Sequence, residues 1–472
     1  MKVGHLILFL SLAAVGFSAH GQYDEDSMGM GSVSKDLLAK ITKAQGSLRN
    51  LSETKDCKFP ENPDCTTKSL CEGITANADS LYLYKNAEGK GVPNVFLFQV
   101  NDALEGCFKT KAPNISDDPF FAPEKFLKNS QAWQQEEAKN KNLFEDTKNE
   151  IVRMLESRKD GKNNKDMDVM IRRIQTVKMA PIAGHEAEYL TKASCNLPNA
   201  AYDYNTHTLL VCPQLYRYPQ AALETVLAHE LGHSIDPCLV GGDLKQTSDG
   251  IVTELSHQEK VPGKVLVPGI AYDANPFKKN VLQCLQQKNS MGVTSKPLAD
   301  YEDEIMMQVQ ETESYANDGS EDPGIRKELE GLKKQQNEMK STYKYQQACS
   351  WFKKSGDAQE TFADWVAAQV KRAKVSQIKD PAKAKTYALE SEGIFLSYSC
   401  GEVKQRVLSK VLSQFDTRDR RQVETRCYDM VRMIGGETHP EGAQRIDKLH
   451  LAVPEIQKAL GCKPDKTVPD CK

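Results

Sequence analysis

The chain has 472 residues, 65 of them acidic and 62 basic, for a net charge of −3. No block of lysine and arginine marks it for nucleic acid or for an anionic membrane surface, so neither partner is expected. The length suggests two or three domains, and thirteen cysteines point to disulfides in an exported chain.

The N-terminus reads Met1-Lys2, an apolar run from Val3 to Phe17, then Ala19 and Gly21. A basic start, an apolar core and small residues describe a cleavable secretory signal over residues 1–21. The run is too short for an anchor, which needs about 20 apolar residues. The mature chain is expected to be secreted or periplasmic, with no stable membrane insertion. Residues 22–34 are polar and rich in Gly and Ser, and read as a disordered linker.

Helical patterns come next, at 35–49 and 130–158. Cys57, Cys65, Cys71 and Cys107 cluster between them. They are expected to staple a small N-terminal domain over 35–125. Pro113, Pro119 and Pro123 mark its far boundary, and the rest, 126–472, forms the main domain. An odd cysteine count leaves at least one thiol free or paired with another chain. Cys238 is expected in a disulfide, and Cys462 and Cys471 bracket the tail.

Residues 167–179 mix apolar and basic side chains and fit strand or helix. Asn199-Ala200-Ala201-Tyr202, a turn-like 203–207 and the strand-like Thr208–Val211 then form a hairpin pattern. Such a hairpin is either an ordinary one or an open sheet edge, to which an extended peptide can add.

Next comes Pro219 to Cys238, which contains His229-Glu230-Leu-Gly-His233. Pro219 suits the first turn of a helix and Pro237 suits its end. Leu223, Val226, Leu227, Glu230 and His233 recur at helical spacing, an apolar stripe that turns chemical. His229 and His233 are one turn apart, so both imidazoles leave the same face and can grip one Zn²⁺. Glu230 is placed beside the metal, where it can take a proton from a metal-activated water. Beyond the helix, 239–300 reads as long loops, and 299–315 and 325–350 read as helices.

A catalytic zinc wants a third protein ligand and an open corner. A histidine six residues after His233 would serve, but that position is Leu239. A glutamate on a later helix is the other solution. Glu360-Thr-Phe-Ala-Asp364 has helical spacing, with both acids on one face. Glu360 can bind the metal while Asp364 accepts the N–H of a metal-bound histidine and fixes its tautomer. Glu254 is a rival ligand without an acid four residues on.

These segments resemble, in order, those of the neprilysin and endothelin-converting-enzyme family of zinc metallopeptidases. Asn199-Ala200-Ala201-Tyr202 is similar to its N-A-x-Y edge strand. His229 to Asp236 matches H-E-x-x-H-x-x-D, and Glu360 to Asp364 matches E-x-x-x-D. Thr438-His439-Pro440 through Arg445 resembles its histidine followed, six residues on, by an arginine. The resemblance implies that His229, His233 and Glu360 hold zinc and that Glu230 is the general base. It implies that His439 steadies the oxyanion, and that Asn199, Ala200 and Arg445 hold the substrate main chain. Asp364 and Asp236 would orient the histidines.

The expected fold is α+β and mostly α. A thermolysin-like zincin domain with a small mixed sheet would follow the stapled N-terminal domain. The expected activity is zinc-dependent endopeptidase on a peptide or protein substrate. Two rivals stand beside it. One is another glutamate-zincin family, the Ste24-like peptidases, which usually carry transmembrane helices. The other is a secreted metal-containing binding or scaffold protein without turnover.

Overall fold

The side chains of Asn94, Asp380 and Asp416 cap helix N-termini, and Pro381 and Pro454 take first helical positions. The computed structural model describes residues 33–49, 64–75, 82–85, 91–110, 120, 130–195, 197–237, 240–254, 263–271, 274–287, a few positions between 309 and 333, 358–400, 408–427, 445–463 and 470–471. The signal, the 22–34 linker, Cys57, Cys238, His439 and nearly all of the helices expected at 299–315 and 325–350 lie outside the described residues.

In the N-terminal segment, α1 covers Lys35–Arg49 and α2 Thr67–Thr75. Strands β1 (Tyr82–Lys85) and β2 (Gly91–Pro93) pair antiparallel. Helix α3, Val95–Phe108, starts where the Asn94 side chain accepts from the Phe96 N–H at 3.1 Å. Then come α4 (Ser130–Glu156), α5 (Asn164–Thr176) and β3 (Lys178–Met179), so the ambiguous 167–179 is helix and then strand. Helix α6 is Glu186–Thr191.

The expected hairpin forms as β4 (Ala200–Asp203) and β5 (Thr208–Val211), antiparallel, with Ala200 opposite Val211. Asp203 makes the turn, since its Oδ1 accepts the Asn205 N–H at 3.0 Å. Strand β3 joins β5 in parallel, so the order is β3-β5-β4, and among the described residues β4 is an edge. A second sheet orders β7 (Val252–Glu254), β6 (Leu244–Gln246) and β8 (Lys264–Val267). The described fold is thus mostly helical with small mixed sheets.

The central helix α7 is Gln220–His233. A lone apolar stripe was expected of it. Instead every residue from Ala221 to His233 is buried, because other elements cover it all round. Helix α8 is Gln283–Gln287. Against α7 lie α9 (Ala358–Gln377) and α10 (Pro381–Ser399), the latter capped by Asp380, which accepts from Ala382 N–H at 2.9 Å. Gly232 allows the close α7–α9 approach: a Cβ there would stand 2.9 Å from Ala363 Cα. Helices α11 (Thr417–Arg426) and α12 (Pro454–Leu460) complete the order, α12 ending at Gly461 with φ 68°.

The expected staples within the N-terminal segment are corrected by the structure. Cys65 pairs with Cys462 and Cys71 with Cys400, so these bridges run to the C-terminal half. Cys195–Cys212 and Cys284–Cys471 are further bridges between described cysteines, and the Cys427 side chain lies within hydrogen-bond reach of Cys107. The reason is spatial: a bridge needs Cα atoms about 4.4–6.8 Å apart, whatever their separation along the chain. Leu37, Leu70 and Phe96 accordingly belong to the same hydrophobic core as Leu227 and Val366. Among the described residues no helix is long and apolar enough to cross a membrane.

Candidate metal centre

Helix α7 brings its two histidines into one turn of backbone. Pro219 is the N-cap, and the helix stops at His233, short of Pro237. Its C-terminal end is held by a buried cation. Arg173 of α5 donates from Nε to the Ser234 carbonyl at 2.9 Å and from Nη1 to the Gly242 carbonyl at 3.0 Å. A cation there also suits the negative end of the helix dipole. Nothing in the sequence singled Arg173 out, beyond its being a charge in an otherwise apolar register.

Helix α9 supplies the acids. Glu360 lies in its first turn and Asp364 one turn on. Glu360 Oε2 is 3.0 Å from His229 Nε2 and 3.6 Å from His233 Nε2. The His229, His233 and Glu360 ligand atoms all lie within 4.8 Å of one another, and all three residues are buried. This group could hold a metal ion. Glu254, the rival, is on β7 in the second sheet.

Asp364 does what its position suggested. Its Oδ1 is 2.8 Å from His229 Nδ1, which leaves Nε2 for a metal. Arg445 does something the sequence did not suggest. Its Nε and Nη2 both donate to Asp364, the latter at 2.7 Å, and its guanidinium lies 5.1 Å from the Phe395 ring centroid. Beside the substrate contact expected of it, it is a bidentate partner of the buried Asp364 carboxylate. Asp236 is buried just past the end of α7. His233 Nδ1 is buried without a hydrogen-bond partner.

Glu230 faces the sheet edge. Its Oε2 accepts the Tyr202 N–H of β4 at 3.0 Å. Ladder alternation puts the Ala200 main chain on that same side, away from β5. The Asn199 carbonyl points to β5, taking the Cys212 N–H at 2.9 Å, and its Nδ2 donates to the Ala193 carbonyl at 3.0 Å. Asn199 therefore anchors the start of β4. Tyr204 stands edge-on to His233 at 6.3 Å, and Phe395 is 6.4 Å from His229. Neither ring carries a sequence signal, because an aromatic in a turn or on a helix is usually packing.

Burial by itself would lower the His229 pKa, but the Asp364 and Glu360 carboxylates outweigh it and raise it to about 10. His233 is raised in the same way, burial opposing and Glu360 winning. Burial raises Glu230 above the usual carboxylate value, with His229 and His233 pulling the other way. Asp364 is held low: burial opposes its charge, and Arg445 and His229 overcome that. The centre is thus a buried set of opposed charges, which one divalent cation could replace a proton to balance. No protein-family model, curated protein or solved structure matches this chain.

Proposed function

We propose that the chain is an exported zinc-dependent endopeptidase of the glutamate-zincin type, with a thermolysin-like catalytic fold. One observation carries the reading: two imidazoles from one helix and a carboxylate from another converge, with Glu230 between them and a sheet edge. The donors fit the ion. Tetrahedral corners about 2.0–2.1 Å from a zinc stand roughly 3.3 Å apart. The carboxylate oxygen lies 3.0 and 3.6 Å from the two imidazole nitrogens, which brackets that value. Two nitrogens and one oxygen also suit zinc by ligand type.

Zinc, when bound, would polarise a peptide carbonyl and acidify water. Glu230 takes the proton of the attacking water and later hands it to the leaving amine. Its burial raises its pKa and makes it the stronger proton acceptor. Asp364 holds the His229 ring through Nδ1, which would leave Nε2 to hold the ion, and Arg445 holds Asp364. The extended substrate adds to the β4 edge, where the Ala200 main chain faces outward. By resemblance to the neprilysin-like peptidases, His439 steadies the oxyanion and Arg445 and Asn199 contact the substrate backbone. The disulfides fit an oxidising compartment, and with it a secreted or periplasmic location.

The test is a mixed peptide-library digest with and without a chelator, beside zinc analysis. Glu230→Gln is expected to keep zinc and lose hydrolysis. An unchanged rate in that variant excludes the mechanism. Zinc without turnover in the wild type would leave a metal-containing binding protein instead.

A further inference from the structure

Arg445 is fixed by the turn of backbone on its C-terminal side. Residues Ile446–His450 form a single π-helical turn, closed by the Leu451 N–H donating to the Ile446 carbonyl at 2.8 Å. Isolated π turns are rare and recur at functional sites. Ile446 and Leu449 sink into the core. Two polar residues of the turn grip different elements. His450 lies 2.8 Å from Glu392 Oε2 on α10 and 3.0 Å from Lys371 Nζ on α9, and all three are buried. Asp447 reaches the other way, to the N-terminal segment. Its Oδ1 accepts from both the Thr67 backbone N–H and the Thr67 hydroxyl, the latter at 2.7 Å. A carboxylate at the first turn of α2 satisfies a donor that the helix leaves open and suits its dipole. The Cys65–Cys462 bridge locks the same two segments together beside this contact.

We infer that Asp447, held by Thr67, is a positioning residue that sets the turn presenting Arg445 to Asp364, and so couples the N-terminal segment to the metal centre. The inference rests on the proposed zinc site. The chain of contacts is continuous: Thr67 to Asp447, two residues of backbone to Arg445, then Asp364, then His229 Nδ1. Asp447 itself is two residues from Arg445 and is not one of the candidate ligands. A contact so far along the chain from α9 matters through geometry. If Arg445 shifts, Asp364 loses its bidentate partner, and the His229 ring loses the carboxylate that fixes its tautomer.

The experiment uses the full-length oxidised protein and reads zinc affinity by competition with a chromophoric chelator. The visible spectrum of the Co²⁺-substituted protein reports ligand geometry. Thr67→Val exchanges a hydroxyl for a methyl of the same shape, and Thr67→Ser restores the hydroxyl. Thr67→Val is expected to weaken zinc binding about tenfold, at the lower end for outer-shell partners of a metal site, and to alter the Co²⁺ spectrum. Thr67→Ser should return both to wild type. Asp447→Asn should match Thr67→Val, and the double variant should be no worse than Asp447→Asn alone. Should Asp447→Asn fail to fold, the Val and Ser pair decides. A folded Thr67→Val protein with wild-type affinity and spectrum overturns this inference alone. A wild type that takes up no zinc overturns the metal reading, and this inference with it.

Discussion

At the scale of single residues, the centre depends on how opposed charges are paired out of water. Asp364 serves two partners at once, His229 and Arg445. Asp364→Asn removes the charge both need. It should cost about 10–100-fold in zinc affinity, as for other outer-shell partners of metal ligands, measured by chelator competition. It should also destabilise the fold by about 3–5 kcal/mol, because Arg445 is left as a buried cation; urea denaturation reads that. Glu230→Gln is the complementary case. Under the proposed mechanism it removes the proton acceptor and leaves His229, His233 and Glu360 in place, so zinc content should hold while peptide hydrolysis falls away. The sequence exposed both acids through short spacings, His229-Glu230 and Glu360 to Asp364. It could not expose Arg445's allegiance, because the partner stands 81 residues away in the chain.

Elements meet here through close packing. Helix α7 lies against α9 with Gly232 at the contact, where an added Cβ would face Ala363 Cα at 2.9 Å. That neighbour is backbone and cannot swing aside. Gly232→Ala should therefore part the helices, at a cost of about 1–3 kcal/mol for overpacking. It should also draw Glu360 away from the imidazoles, so that zinc affinity falls with the urea midpoint. Gly46 on α1 is the contrast, since a Cβ there meets nothing within 4 Å. Gly46→Ala should stabilise by about 0.5–1 kcal/mol through helix propensity alone. Helices α1, α4, α7 and α9 were legible because helical spacing is a local signal. The all-round burial of α7 was not, because covering a helix takes neighbours from elsewhere in the chain.

Across the whole molecule, the ends are tied to the middle. Cys65–Cys462 and Cys71–Cys400 join cysteines 397 and 329 residues apart. Long closed loops restrict the unfolded chain most in the loop-entropy account, and such bridges are worth about 2–4 kcal/mol each. Reduction under native conditions should lower the thermal midpoint clearly, followed by calorimetry with and without reductant. Acid should act through the Lys371–Glu392–His450 cluster. Burial works against a charged Glu392, but His450 and Lys371 prevail and bring it from 4.5 to about 2. The folded state therefore binds this proton less readily than the unfolded chain. The stabilisation is complete above pH 4.5 and is lost as pH falls toward 2. Denaturation midpoints between those values should fall in the wild type, and this part of the slope should vanish in Glu392→Gln.

Taken alone, the sequence determined the parts whose physics is local. Helical periodicity put His229 beside His233, and Glu360 in line with Asp364. Alternation and an Asp-led turn made the β4–β5 hairpin. Tertiary structure decided what depends on which distant surfaces meet. It paired Cys65 and Cys71 with the C-terminal half, gave Arg445 to Asp364, and placed Arg173 under the end of α7. Those outcomes arise from the packing of one shared core, and neither spacing nor propensity encodes which distant neighbours a side chain will find there.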